Sequence, residues 1–173
     1  MRWIGLFTML VATSSPSLAR AQGPTVVGTR APGFTATTVE SPARVKTLGD
    51  YRGRVVLLAV WATWCAECRD EFVTLQRIHS ELVPQGLSVV AVSVDAASDE
   101  VVRKYASELG VTFDVLHDKT HAIMQAYGAR GVPVTFLIGR DGTIRARAFS
   151  GQRRWDAEPW RSLLIKLLAE PRS

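Results

Sequence analysis

The chain has 173 residues, 47% hydrophobic and 21% charged, with 13 Gly, 8 Pro and two Cys. That is the length of one ordinary domain able to bury roughly two-thirds of its unfolded surface, and the composition excludes disorder, collagen and a disulfide-stapled miniprotein. The formal charge of +5 is scattered, neither a tail nor an aromatic-interleaved patch, which argues against nucleic-acid binding.

Arg2 opens the chain with a positive charge, and Trp3 to Ala12 is apolar apart from Thr8. Ser14, Ser15 and Pro16 break the run, and Ala19 and Ala21 are small residues at the two positions a signal peptidase reads. This is the order of an export signal, with cleavage expected after Ala21 and no stable membrane span after processing. The alternative is an uncleaved anchor facing the periplasm, for which about ten apolar residues are short. The reading divides the chain into a signal over 1–21, a Gly- and Pro-rich lead-in over 22–33, and one globular domain over 34–173.

Phe34 to Val39 and Arg44 to Leu48 read as an N-terminal β-pair. Arg54 to Val60 (RVVLLAV) is a strand buried on both faces. From Ala66 to Val83 the apolar positions Phe72, Leu75, Ile78 and Leu82 recur at helical spacing, and Pro84 and Gly86 stop that helix. Leu87 to Val94 is a second buried strand. Asp99 and Glu100 begin a further helix at the positive end of its dipole, with Val101, Val102, Tyr105 and Leu109 as its inner face and Gly110 as its stop. Val115-Leu116 is a minor strand, and His121 to Tyr127 a short helix closed by Gly128. Val134 to Ile138, the Asp141-Gly142 turn and Thr143 to Phe149 make a hairpin. A last helix after Asp156 buries Trp160, Leu163, Leu164, Leu167 and Leu168. The order is that of an α/β layer fold with a terminal antiparallel hairpin and helix.

Both cysteines lie in Trp61-Ala62-Thr63-Trp64-Cys65-Ala66-Glu67-Cys68, directly after a buried strand and at the start of a helix. Unsatisfied backbone N–H groups at a helix start stabilise an anion, so Cys65 is a candidate thiolate. Cys68, one turn later, lies deeper and can attack a mixed disulfide formed at Cys65. A structural disulfide is the bland alternative, although so short a loop contributes only about 2 kcal/mol. A metal site is another: His117 and His121 stand at i, i+4 spacing and His79 lies one helix along, but no second ligand pair is in finger-like register. Copper held by the two thiolates and an imidazole, as in a metallochaperone, belongs to the same class. Pro133, in Gly131-Val132-Pro133-Val134-Thr135-Phe136, sits where a proline is tolerated, at a loop–strand junction.

Taken together, WATWCAEC, the GVPVTFLI stretch, Asp141-Gly142 and the opening Val27-Gly28 and Ala31-Pro32-Gly33-Phe34 resemble the TlpA/ResA-type branch of the thioredoxin-like family. The resemblance spans roughly residues 27 to 170. It implies a thioredoxin-like fold over 34–173: a central mixed sheet with flanking helices, the N-terminal β-pair, and an inserted β-α stretch around 95–130. Members of that branch are exported thiol–disulfide oxidoreductases, several of which serve cytochrome c maturation. The resemblance therefore implies a periplasmic enzyme that reduces protein or apocytochrome c disulfides and is recharged by an upstream membrane electron donor. It implies no bound cofactor. Cys65 becomes the attacking thiol, Cys68 the resolving thiol, and Pro133 a cis-proline facing the pair. Val132 would offer its backbone to a substrate chain, beside Trp64.

Two departures stand out. Glu67 occupies the position before the second Cys where the family usually has Pro, and Ala59 stands where thioredoxins carry a buried Asp. Glu71, three residues after Cys68, matches a glutamate that ResA-like proteins place beside the pair and is the candidate proton acceptor, with a solvated helix residue as the alternative. A peroxiredoxin is the competing enzyme class, but its T-x-x-C context would need Thr at Ala62. Trp61 and Trp64 are expected to pack around the site. Arg140, Arg145, Arg147, Arg153 and Arg154 read as a solvated face, with docking of an acidic partner as the alternative.

Overall fold

The computed structural model describes residues 26–149 and 154–171, so the segment read as an export signal and Arg153 lie outside the described residues. β1 (Thr35–Thr38) and β2 (Val45–Thr47) form the N-terminal pair. β3 (Val55–Trp61), α1 (Ala66–Leu82), β4 (Leu87–Ser93), α2 (Asp99–Glu108), β5 (Asp114–His117) and α3 (Ala122–Ala126) follow, then β6 (Val134–Ile138), β7 (Ile144–Phe149) and α4 (Trp160–Ala169). The strands make one sheet in the order β2-β1-β5-β4-β3-β6-β7. β3, β4 and β5 are parallel, and the remaining pairings are antiparallel. This is the mixed sheet with flanking helices that the family resemblance implies.

All seven residues of β3 are buried. Successive side chains point to opposite faces, so both faces of the sheet are covered there, which is why the run is apolar without alternation. On α1, Phe72, Leu75, Ile78 and Leu82 are all buried against the sheet, each contributing about 1.5–3 kcal/mol. The turn after α1 ends at Gly86 with φ of 104°, and a Cβ there would lie 2.9 Å from Arg140 Nη1. Glycine is required at 86 on both counts.

Three expectations are corrected. Val101 is 49% exposed; Val102 points inward as expected, and with it Ala106, four residues along the same face of α2. Trp160 and Leu163 are half-buried, and the fully enclosed indole is Trp155, on which Trp160 packs with ring centroids 4.8 Å apart. Arg140 is not solvated but 5% exposed. Its guanidinium donates to the carbonyls of Gly53 (2.8 Å), Gln85 (3.1 Å) and Leu168 (2.8 Å). These belong to the turn before β3, the turn after α1 and the last turn of α4, where carbonyls lack partners of their own. A planar fork with five donors can serve three such groups at once.

The antiparallel register fixes where the site is built. β6 begins with Val134 opposite Val60, near the end of β3, and β7 ends with Phe149 opposite Val134. The loop after β3, the start of β6 and the end of β7 therefore meet at one end of the sheet.

Candidate active site

β3 delivers the chain to this end at Trp61, which is 1% exposed and packs on Phe72 (centroids 4.7 Å) and Tyr105 (5.9 Å, stacked). The next residues are held by a carboxylate that sequence reasoning missed. Asp95, just beyond β4 and 3% exposed, accepts the Thr63 backbone N–H at 3.0 Å and the Thr63 hydroxyl at 2.6 Å. Ser93 donates its hydroxyl to the same carboxylate at 2.7 Å. An acid closing the apolar run LSVVAVSV, at the carboxyl end of a parallel strand, was the available signal. Trp61 packs as expected, but Trp64 does not: it is 72% exposed, its ring turned out beside Cys65.

Cys65 is the N-cap of α1, and its sulfur accepts the Cys68 backbone N–H at 3.2 Å. The two cysteines form a disulfide with Cα atoms 5.3 Å apart. Cys65 is 7% exposed and Cys68 1%, so the first is the more accessible sulfur. The Val132–Pro133 peptide bond is cis, and Pro133 is buried where β6 starts, next to the end of β3.

Glu71 is 4% exposed, not a solvated helix residue. Its Oε1 accepts the Thr135 hydroxyl at 2.7 Å and the Trp155 indole N–H at 2.8 Å. Thr135 and Trp155 are both fully buried. The register explains the departure at Ala59. That residue lies opposite Thr135, so the buried carboxylate comes from α1, one turn past Cys68, instead of from β3. Neither Thr135 nor Trp155 was legible as a site residue, since both look like ordinary core positions in sequence.

The three histidines are engaged elsewhere. His117 Nδ1 lies 2.6 Å from Asp99 Oδ1 and its Nε2 2.9 Å from the Asp95 carbonyl, while His121 Nε2 lies 3.1 Å from the Val94 carbonyl. His79 meets Phe113 edge-on, and burial pushes its imidazole below the ordinary histidine value. Among the described residues, no group of three or more His, Cys, Asp or Glu side chains stands where a metal ion could be held. No described helix is long and apolar enough to cross a membrane.

The family model described as AhpC/TSA matches residues 27–147. The thiol–disulfide oxidoreductase ResA of Geobacillus thermodenitrificans is 34% identical over 119 residues, 69% of this chain and 67% of its own length. ResA of Bacillus anthracis is 29% identical over 132 residues, 76% of this chain and 75% of that one. A Chlorobium tepidum crystal structure described as a thiol:disulfide interchange protein DsbE superposes with a TM-score of 0.76 at 29% identity, covering 84% of this chain and 99% of its own.

Proposed function

The chain belongs to the AhpC/TSA family and is a thiol–disulfide oxidoreductase of the ResA/DsbE type, and from that premise we propose that it is an exported reductant of protein disulfides, apocytochrome c among them. The observation that carries the reading is the Cys65–Cys68 pair, with one sulfur at the mouth of α1 and the other inside its first turn.

In the reduced enzyme the Cys65 thiolate attacks one sulfur of the substrate disulfide. A Cys65–substrate S–S bond forms, the substrate S–S bond breaks, and the departing thiolate takes up a proton. Cys68 then gives its proton to Glu71, one helical turn away, and attacks Cys65 Sγ. The Cys65–Cys68 disulfide closes and the second substrate sulfur leaves as a thiolate, which takes up a proton from solvent, so two electrons pass from the dithiol to the substrate. An upstream membrane dithiol returns them. Thr135 and Trp155 fix the Glu71 carboxylate for this step. In this reading Pro133, which follows a cis peptide bond, faces the pair, and the 72% exposed ring of Trp64 and the backbone of Val132 receive the substrate chain.

Export rests on the charged start, apolar stretch and Ala19/Ala21 site of the first 21 residues, and the periplasm is the compartment proposed. A copper metallochaperone using Cys65, Cys68 and a histidine is the competing reading. Trapping with Cys68→Ala decides between them: the variant should accumulate mixed disulfides through Cys65, and the reduced wild type should reduce insulin. Preferential alkylation of Cys68 would overturn the assignment of roles. Tight copper binding by the reduced protein without disulfide reduction would make the metallochaperone the better reading.

A further inference from the structure

Of the arginines first read as one solvated face, Arg140 is buried, Arg145 pairs with Asp141 and Glu170, and Arg154 pairs with Asp156. Arg147 behaves differently. Its guanidinium lies over the rings of Phe149 (4.6 Å) and Phe136 (5.1 Å) and donates to the Gly128 carbonyl at 2.9 Å. It lines a cavity of about 480 Å³ together with Arg130, Val132, Pro133 and Phe149. Among the described residues, the two arginines are the only titratable side chains on that lining. Among the described residues, neither has a carboxylate within ion-pairing distance, unlike Arg44, Arg77, Arg145, Arg154 and Arg161.

We propose that this cavity is a subsite for an acidic side chain of the substrate, read by Arg130 and Arg147, so that the enzyme prefers disulfides whose cysteine lies near an Asp or Glu. The proposal rests on the disulfide-reductase reading above and narrows its substrate class. Position supports it. The cavity contains the cis-proline that starts β6 and the Phe149 that ends β7, one and two strands from β3. At the spacing of neighbouring strands that is about 5–10 Å sideways from the strand that leads to Cys65, within reach of a few residues of extended chain.

Charge supports it too. A half-buried cation with a second cation nearby and no anion is an incomplete arrangement, because burial and like charge both disfavour it. Burial first, then the charge of Arg130, pushes Arg147 below the ordinary arginine value, and its buried Nε has no hydrogen-bond partner among the described residues. An incoming carboxylate satisfies the two guanidiniums with charge-assisted hydrogen bonds. Phe149, 52% exposed, supplies the apolar wall along which the rest of that side chain lies.

The test uses matched peptide disulfides carrying Glu, Gln or Lys at each of the two positions on either side of the cysteine. Reduction by the full-length reduced protein is followed at low salt and near 1 M salt, where the screening length falls to about 3 Å. At one position or more, Glu should exceed Lys by about tenfold in kcat/KM, mainly through KM, with the ratio falling toward one at high salt. Arg147→Gln should collapse the ratio. Arg130→Glu, at an exposed position where folding is not at stake, should reverse it. Equal reduction of the three peptides at every position, or a preference that survives Arg130→Glu, would overturn the subsite while leaving the reductase reading intact. Failure to reduce any of them, the Gln peptides included, would overturn both.

Discussion

Removing the indole N–H that reaches Glu71 tests how a carboxylate is kept inside this core. Glu71 Oε1 accepts Trp155 Nε1 at 2.8 Å and Thr135 Oγ1 at 2.7 Å, and none of the three residues is more than 4% exposed. A hydrogen bond to a charged group contributes about 1.5–3 kcal/mol, and leaving a buried carboxylate short of a donor lies toward the upper part of that range. Trp155→Phe also shrinks a fully buried ring packed on Trp160, and the resulting cavity adds about 1–2 kcal/mol. The substitution should therefore lower the unfolding free energy of the oxidised protein by about 3–5 kcal/mol, a large share of the roughly 5–15 kcal/mol typical of a domain.

A double-mutant cycle with Glu71→Met separates the two contributions. In that background Trp155→Phe loses packing but no hydrogen bond, so the coupling energy isolates the indole–carboxylate contact, at about 1.5–3 kcal/mol. Urea unfolding provides the readout, with a shifted midpoint and an unchanged slope. A coupling energy below about 0.5 kcal/mol, the ordinary scatter of independent sites, would refute the claim that Trp155 holds Glu71.

Arg140→Met strands three backbone carbonyls and should cost about 3 kcal/mol in thermal or urea unfolding; a loss within 0.5 kcal/mol, the range of ordinary surface substitutions at about ±0.5, would contradict the clasp. Exposed Glu67 between the cysteines and buried Glu71 one turn on both oppose a thiolate, so a glutathione titration should return a potential nearer thioredoxin's roughly −270 mV than DsbA's roughly −120 mV. A value above about −170 mV, toward the oxidant end of that scale, would make an oxidase or isomerase the better description. The donors Lys119 and then His117 hold the Asp99 carboxyl below the usual aspartate range, so its stabilisation is complete above the unfolded value of about 3.9 and is lost as pH falls through the lowered folded value. The Tm gap between wild type and Asp99→Asn should accordingly shrink below about pH 4, and a constant gap would exclude Asp99 from the acid transition. The exported protein should begin within two residues of Gln22, and an intact periplasmic mass that includes Met1 would favour the anchored form.

The sequence by itself determined the element order, the buried central strands and the placement of Cys65 and Cys68 at a strand–helix junction. Those properties follow from local periodicity and from which residues can start or stop a helix, and the observed bounds differ only at element ends. The partners of Glu71 were decided by tertiary structure alone. Thr135 comes into play because β6 runs antiparallel beside β3, and Trp155 because the chain before α4 packs back on α1; sequence separations of 64 and 84 residues leave no periodic trace. The same holds for Asp95, whose carboxylate reaches Thr63 across parallel β3 and β4. Arg140 shows the converse limit. Its position in a row of arginines predicted solvent, but two turns and the end of α4 converge around it and offer their carbonyls to its guanidinium. A charge is kept inside where the fold gathers its hydrogen-bond partners, and that gathering is a property of the packed chain, absent from any single stretch of it.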